Sequence, residues 1–129
     1  MPLVRIDLLE GRSDGELQVI ADTVQQCMVD VFAAPVRDRY QIIAEHRAGR
    51  MFIEDTGLGL QRSSGQIVIQ VTQQGRSTEQ KQALYRALAD RLGEQAGVRP
   101  EDLVVSVVEN STADWSFGMG RAQFLTGEL

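Results

Sequence analysis

The chain is poor in the residues on which disulfide-rich, metal-binding and aromatic-rich proteins depend. Its 129 residues include one cysteine, one histidine and one tryptophan, and aromatic residues make up only 5% of the total. A single cysteine, Cys27, excludes an internal disulfide and is typical of a reducing compartment. Because cysteines and histidines are not spaced as metal ligands, the sequence predicts no zinc site. We expect Cys27 to be a small buried residue and His46 to be structural.

Charge and hydropathy favour neither a nucleic acid nor a membrane as partner. The net charge is −5 and no basic cluster is present, which argues against binding to nucleic acid. No apolar run approaches the roughly 20 residues that a membrane span needs. The chain also does not open on a basic and then apolar leader segment. We therefore expect one globular domain, residues 1–129, located in the cytoplasm.

Strand and helix patterns follow one another in a regular order along the chain. In segment 3–8, Val4, Ile6 and Leu8 alternate with residues of the opposite face, as in a half-buried strand. A helix is predicted to begin at Asp14 and to end at the Ala34-Pro35 pair, and apolar residues form a stripe along one face of it. The remaining predicted elements are strands at 39–46, 51–53, 66–72 and 103–108, a loop at 55–65, and a helix that follows Ser77 and runs to residue 96.

The second half of the chain repeats the first. Ser13 with Glu16 and Ser77 with Gln80 have the spacing of capping boxes, so each serine opens a helix. Both serines end a Gly-Arg-Ser turn, and the two turns are 64 positions apart. The pattern indicates an internal duplication, with residues 1–64 and 65–129 as the two copies.

Two strand–helix–strand units predict an α/β fold, which is also an α+β two-layer sandwich. Each βαβ unit should have parallel strands with a right-handed crossover. Two pseudo-symmetric units then form a four-stranded mixed sheet that the two helices cover on one face. The other face would remain apolar, and contact with further copies of the chain in a ring would bury it.

Three residues should converge if the two units run antiparallel. Pro2 follows Met1, and removal of Met1 would leave a secondary amine that can act as a base, a cationic donor or a nucleophile. Arg76 opens the second helix, where backbone N–H groups and the helix dipole attract anions. Asp38 precedes a strand that starts at the same edge as Pro2, and its carboxylate would raise the pKa of the amine. The alternatives are a frayed terminus, a solvated arginine and a strand-capping aspartate.

The duplication also predicts a second, degenerate site. At the opposite end of the sheet the equivalent pair is Arg12 with Gln66, which supplies no amine. Only one of the two ends should therefore carry the chemistry. Apolar side chains of the tail would form a wall over a small substrate, or else belong to the core or to an interface: Trp115, Phe117, Phe124 and Leu129.

These residues and several further segments resemble the tautomerase superfamily, and within it the malonate semialdehyde decarboxylases. The superfamily resemblance rests on Pro2, the duplicated βαβ unit and the Gly-Arg-Ser turn. The narrower resemblance covers nearly the whole chain. It rests on DRYQ at 38–41, EDTGLG at 54–59, RSS at 62–64, ENS at 109–111, ADWSFG at 113–118 and FLTGEL at 124–129.

The resemblance implies a homotrimer with one site in each subunit and no cofactor. It implies that Pro2 is cationic and polarises the aldehyde carbonyl of malonate semialdehyde, or forms an imine with it. Arg76 would hold the substrate carboxylate, and Asp38 would support the charged proline and activate water in a side hydration reaction. The tail residues Trp115, Phe117, Phe124 and Leu129 would form the apolar wall.

Gln74 departs from the best-known family pattern, which has a second arginine at this position. An amide can hydrogen-bond a carboxylate but brings no charge. Three functions follow as alternatives. The first is decarboxylation of a small 3-oxo acid, with hydration of unsaturated acids. The second is tautomerisation of 2-oxo or enol acids by a neutral Pro2, and the third is a trimeric binding protein with vestigial activity.

Overall fold

A computed structural model describes residues 2–129 as four strands and two long helices, with three short helical turns. The sheet has the strand order β2-β1-β3-β4. Among the described residues, no helix combines the length and the apolar character needed to cross a membrane. The elements are β1 (Leu3–Leu9), α1 (Asp14–Val31), β2 (Gln41–His46), β3 (Ile67–Gln74), α2 (Thr78–Ala96), a 3-10 turn (Pro100–Asp102), β4 (Leu103–Asn110), a second 3-10 turn (Thr112–Asp114) and α3 (Gln123–Thr126).

The topology confirms the predicted fold of two βαβ units in a mixed sheet. β1 is parallel to β2, and β3 is parallel to β4, so each unit closes with parallel strands. The units meet through β1 and β3, which are antiparallel. Leu3 pairs with Thr72 at one end of this central pair and Leu8 pairs with Ile67 at the other. The start of β1 therefore lies beside the end of β3, as the sequence predicted.

The core lies between the sheet and the two helices. Val4, Ile6 and Leu8 of β1 are at most 1% exposed, and so are their partners on the same face of β3. Burial of each such side chain contributes about 1.5–3 kcal/mol. Cys27 belongs to this core, and burial raises the pKa of its thiol. It is a packing residue, as predicted.

Local signals define where both long helices begin. The Ser13 hydroxyl accepts a hydrogen bond from the Glu16 N–H, and the Glu16 carboxylate accepts one from the Ser13 N–H. Ser77 and Gln80 make the same reciprocal pair. Gly97 ends α2 in the left-handed region with φ 65°, a conformation that costs glycine little. These predictions are confirmed.

Several predicted boundaries differ from the structure. Segment 51–53 is not a strand, and Phe52 is 86% exposed. The four-stranded sheet forms without this segment, and its edge strands are β2 and β4. β2 begins at Gln41, two residues later than predicted. β3 and β4 both run two residues further than expected, where they pair with each other as far as Gln74 and Asn110.

The face of the sheet opposite the helices was expected to be apolar, but it is mixed. Ile42 is 51% exposed and Val108 is 42% exposed on this side. Between them, Asp7 accepts hydrogen bonds from the Arg5 guanidinium and lies 2.7 Å from Nε2 of His46. The Arg5 hydrogen bond is the main reason that the pKa of Asp7 is lowered. His46 is thus part of a polar cluster on this face of the sheet.

Candidate active site

A cavity of about 370 Å³ opens where β3 ends and α1 gives way to the following loop. Five of the eight side chains predicted for the site line it. A larger cavity of about 470 Å³ runs along α2 and contains none of them. The chemistry therefore points to the smaller cavity. Its lining consists of Ala33, Pro35, Asp38, Gln74, Arg76, Phe124 and Leu129.

Arg76 is held against the end of α1 by backbone carbonyl groups. Its Nε donates to the Phe32 carbonyl at 2.6 Å, and Nη1 donates to the carbonyls of Gln74 at 2.7 Å and Gly75 at 3.0 Å. The guanidinium also lies 5.5 Å from the centroid of the Phe32 ring. Partial burial lowers the pKa of Arg76, but a guanidinium keeps its charge in proteins. The cavity wall therefore carries a fixed, oriented cation.

Asp38 lies in the loop between α1 and β2, half-buried, and its backbone N–H donates to the Pro35 carbonyl at 3.0 Å. Two residues later, the Tyr40 carbonyl accepts a hydrogen bond from the Val4 N–H at 2.9 Å. This contact ties the loop to the beginning of β1. Asp38 thus reaches the edge of the sheet at which β1 starts, as its place in the βαβ unit predicted.

Pro2 is buried immediately before β1 and does not belong to the cavity lining. Buried positions alternate along β1, and Pro2 shares the helix-facing side with Val4 and Ile6. It therefore lies at the end of the sheet where β3 ends, and Gln74 and Arg76 of that end line the cavity. The predicted removal of Met1 concerns a residue outside the described part of the chain.

The predicted apolar wall is a stack of aromatic rings. Trp115 and Phe117 are stacked with centroids 5.3 Å apart, and Phe117 meets Phe124 edge-on at 5.6 Å. Phe124 and Leu129 line the cavity, whereas Trp115 and Phe117 do not and reach it through the contact of Phe117 with Phe124. Tyr40 extends the stack, with its ring centroid 5.7 Å from that of Phe117. Sequence reasoning missed Tyr40, because nothing local links β2 to the tail.

Gln73 is a second residue that sequence reasoning missed. It is 1% exposed and stands at the end of β3, one residue before Gln74. A signal was present in the sequence. Ile67, Ile69 and Val71 alternate on the inward face, and the next residue of that series is a glutamine.

The opposite end of the central strand pair differs from the prediction of Arg12 paired with Gln66. Arg12 donates instead to the Gly65 carbonyl at 2.9 Å. The inward residues of β1 and β3 begin at Val4 and Ile67, a shift of 63 positions, whereas the helix starts are shifted by 64. Because strand parity is fixed by the buried face, the counterpart of Pro2 is Gly65 and not Gln66.

The chain itself occupies much of this second end. The backbone N–H of Ser63 donates to Oδ1 of Asp102 at 2.6 Å, and Asp102 is only 1% exposed. A Cβ placed on Gly65 would approach Asp102 Oδ2 to 3.3 Å and the Arg12 guanidinium to 3.5 Å. An arginine and an aspartate thus both lie close to Gly65, two residues before β3. The hollow that remains is about 250 Å³.

The family comparison agrees with this architecture. Residues 38–118 match one family described as "Tautomerase enzyme", and residues 2–61 match a second family with the same description. The first match spans more than half of the 129 residues. The chain belongs to the tautomerase superfamily of enzymes.

Individual relatives are similar over the whole length. "Probable tautomerase YrdN" from Bacillus subtilis (strain 168) is 50% identical over 129 residues, which is 100% of both chains. A solved malonate semialdehyde decarboxylase, described with decarboxylase and hydratase activities, superposes with a TM-score of 0.95 at 47% identity over 98% of both chains. A second one, inhibited by 3-bromopropiolate, has a TM-score of 0.94 at 44% identity, over 98% of this chain and 97% of its own.

A more distant structure shares the fold alone. The symmetric trimer of wild-type fused 4-OT has a TM-score of 0.80 at 19% identity, over 97% of this chain and 98% of that one. The fold of two βαβ units is therefore common to tautomerase-superfamily proteins of very different sequence.

Proposed function

We propose that the protein is a cofactor-independent decarboxylase of a small 3-oxo acid such as malonate semialdehyde. The observation that carries the proposal is the cavity in which Arg76, Asp38 and the apolar residues Phe124 and Leu129 meet. Pro2 is buried at the same end of the sheet, immediately before β1. The similarity to two malonate semialdehyde decarboxylases supports the choice of substrate class.

The reaction needs a group that accepts electrons at the substrate carbonyl. When the bond to the carboxylate carbon breaks, its electron pair moves toward the carbonyl oxygen and carbon dioxide leaves. A cationic Pro2 amine would donate a hydrogen bond to that oxygen. On the alternative route Pro2 first loses its proton, attacks the carbonyl carbon and releases water, and the nitrogen of the resulting iminium accepts the electron pair. A proton then adds to the carbon that carried the carboxylate, and on the iminium route water adds back and releases the product from Pro2. Malonate semialdehyde gives acetaldehyde in this way.

Each remaining residue has a separate part in the proposal. Arg76 binds the substrate carboxylate with a planar, charged donor group. Asp38 stabilises the cationic form of Pro2 and activates water when an unsaturated acid is hydrated instead. Gln74 donates a neutral amide hydrogen bond. Phe124 and Leu129, supported by Trp115 and Phe117, exclude water from the carboxylate.

Tautomerisation of 2-oxo or enol acids is the second candidate. The relative with 50% identity is named a probable tautomerase. Gln74 also gives the site one positive charge fewer than the family pattern with two arginines. A tautomerase would use neutral Pro2 as a base, so its activity would fall on the acid side of the amine pKa. A decarboxylase that uses cationic Pro2 loses activity on the alkaline side.

The deciding experiment combines intact mass with the pH–rate profile. The mass should show that Met1 is absent, and malonate semialdehyde should be converted to acetaldehyde with an alkaline limb. Pro2→Ala keeps a primary amine without the ring, and we expect it to fold and to lose activity. Borohydride added during turnover separates the imine route, which leaves a trapped adduct, from the purely electrostatic one. Retained Met1 or full activity of Pro2→Ala would overturn the proposal.

We further propose that the protein is a homotrimer. The face of the sheet opposite the helices exposes Ile42 and Val108 beside the Arg5–Asp7–His46 cluster, and contact with other subunits would cover it. The mass in solution by light scattering should be three times the 14.3 kDa of the chain. A monomeric mass at micromolar concentration would refute this assembly.

A further inference from the structure

We infer that Gln73 is a positioning residue of the proposed site: its side-chain oxygen accepts a hydrogen bond from the cationic Pro2 amine. This inference rests on the proposed function, in which Pro2 is a chain-terminal amine. Gln73 does not belong to the lining of the cavity, whereas its neighbour Gln74 does. It therefore acts through Pro2 and not by contact with the substrate.

The register of the central strands brings the two residues together. Leu3 of β1 pairs with Thr72 of the antiparallel β3. One further step along both strands puts Pro2 opposite Gln73. Both lie on the helix-facing side, because buried positions alternate along each strand. Residues directly opposite in an antiparallel pair have Cβ atoms about 4.5–5.5 Å apart, which is within reach of a glutamine amide.

Burial of Gln73 is hard to explain by packing alone. The side chain is 1% exposed, and the three preceding inward residues of β3 are all apolar. An apolar residue at position 73 would continue that series at no cost in desolvation. A buried amide is tolerated when its oxygen and its N–H groups are hydrogen-bonded. The nitrogen of a terminal Pro2 would be a suitable donor at the position directly across the sheet.

The duplicated unit shows that the fold does not require this feature. With the strand shift of 63 positions, the counterpart of Pro2 is Gly65 and the counterpart of Gln73 is Glu10. Glu10 is exposed and lines the open hollow at that end. Of the two equivalent positions, 73 and 10, only position 73 has its polar side chain withdrawn from solvent. The buried side chain of this pair therefore lies at the end of the sheet where the amine is proposed.

A neutral acceptor has a distinct use among the charged groups that approach Pro2. Asp38 in the loop after α1 favours the cation, and Arg76 in the β3–α2 turn disfavours it. Tyr40 is the residue before β2, and its carbonyl accepts a hydrogen bond from the Val4 N–H. Its phenol is a further titratable group on this loop. A protonated secondary amine has two N–H groups. If Gln73 accepts one, the other is left to point toward a substrate carbonyl.

The test measures the pKa of Pro2 directly and without turnover. The chain has three prolines, and only one at the N-terminus titrates, so protein labelled with ¹⁵N-proline gives a single titrating signal. Gln73→Leu removes the acceptor and should lower this pKa. Gln73→Glu adds a negative charge and should raise it. We also expect kcat/KM of Gln73→Leu to fall on the order of tenfold or more, with the alkaline limb moved to lower pH.

Gln66→Leu is the matched control. Gln66 is 8% exposed at the other end of β3, where its Nε2 donates to the Met51 carbonyl at 3.3 Å. This variant loses a buried glutamine as well, but it should leave the Pro2 titration unchanged. Circular dichroism confirms folding, and if Gln73→Leu does not fold, Gln73→Glu decides alone.

Opposite shifts in the two Gln73 variants, with none in Gln66→Leu, would support the inference. An unchanged Pro2 pKa in a folded Gln73 variant would overturn it. The proposed function fails separately. A wild-type protein without decarboxylase activity, whose Pro2 still responds to Gln73, would contradict the decarboxylase proposal and leave the role of Gln73 standing.

Discussion

Replacement of Arg76 by alanine should cause two separate losses, one in catalysis and one in stability. The substrate carboxylate is proposed to bind the Arg76 guanidinium in the cavity. The same guanidinium holds the β3–α2 turn against the end of α1 through the carbonyls of Phe32 and Gln74. A variant at this position therefore has to be measured for activity and for folding independently.

The expected loss of catalysis follows from the strength of a charge-assisted hydrogen bond. Such a bond contributes about 1.5–3 kcal/mol, which corresponds to roughly a tenfold to hundredfold change in kcat/KM. Arg76→Lys should recover little of it, because an ammonium cannot reproduce the planar fork that matches a carboxylate. The effect should be confined to substrates that carry a carboxylate.

The expected loss of stability is smaller than the stability of a typical domain. The contact to Phe32 O is 2.6 Å and that to Gln74 O is 2.7 Å, but Arg76 is only half-buried. Contacts of this kind, together with the cation–π contact to Phe32, should contribute about 2 kcal/mol. Because domains are stable by about 5–15 kcal/mol, Arg76→Ala should remain folded.

The assay combines steady-state kinetics on malonate semialdehyde with urea unfolding. Arg12→Ala is the control, because Arg12 occupies the same Gly-Arg-Ser turn at the other helix start and donates to the Gly65 carbonyl at 2.9 Å. It should lower stability slightly and leave kcat/KM unchanged. If Arg76→Ala is folded and its kcat/KM equals that of the wild type, the carboxylate binds elsewhere and the site assignment is wrong.

Three further predictions concern residues around the two sheet ends. Asp38→Asn should lower the pKa of the Pro2 amine, so the alkaline limb of the rate profile should move to lower pH; an unmoved limb with full activity would make Asp38 structural. Gln74→Arg should lower KM for small oxo acids if a carboxylate binds beside Arg76, and an unchanged KM would count against that position. Asp102→Ala leaves the half-buried Ser63 N–H without its acceptor and should cost roughly 1.5–3 kcal/mol in urea unfolding, with kcat unaffected; a stability equal to wild type would refute this role.

Features that depend on neighbouring residues were predictable from the sequence. The two capping boxes, the left-handed Gly97 and the alternation of Val4, Ile6 and Leu8 are all encoded within a few residues. The duplication then supplied the long-range part, because two βαβ units with short turns have few ways to form one sheet. The order of the strands and the antiparallel central pair follow from that symmetry.

Features that depend on packing between distant segments were not predictable. The Tyr40–Phe117 contact joins β2 to the tail, and no local pattern links the two. Segment 51–53 has the composition of a strand but lies outside the four-stranded sheet. The shift of the strands by 63 positions against 64 for the helices became visible only once the buried face of β3 was known. A one-residue difference in a turn leaves little trace in composition.

The duplication also explains why only one end of the sheet can carry the proposed chemistry. A basic secondary amine exists only at a chain terminus, because the nitrogen of an internal peptide bond has no basic lone pair. A chain made of two fused copies can therefore have at most one such amine, whatever residues surround the second position. At that second position the structure has Gly65, with Arg12 bound to its carbonyl and Asp102 bound to Ser63. At that end an arginine and an aspartate, the same residue types as in the proposed site, hold the loop that connects the two units.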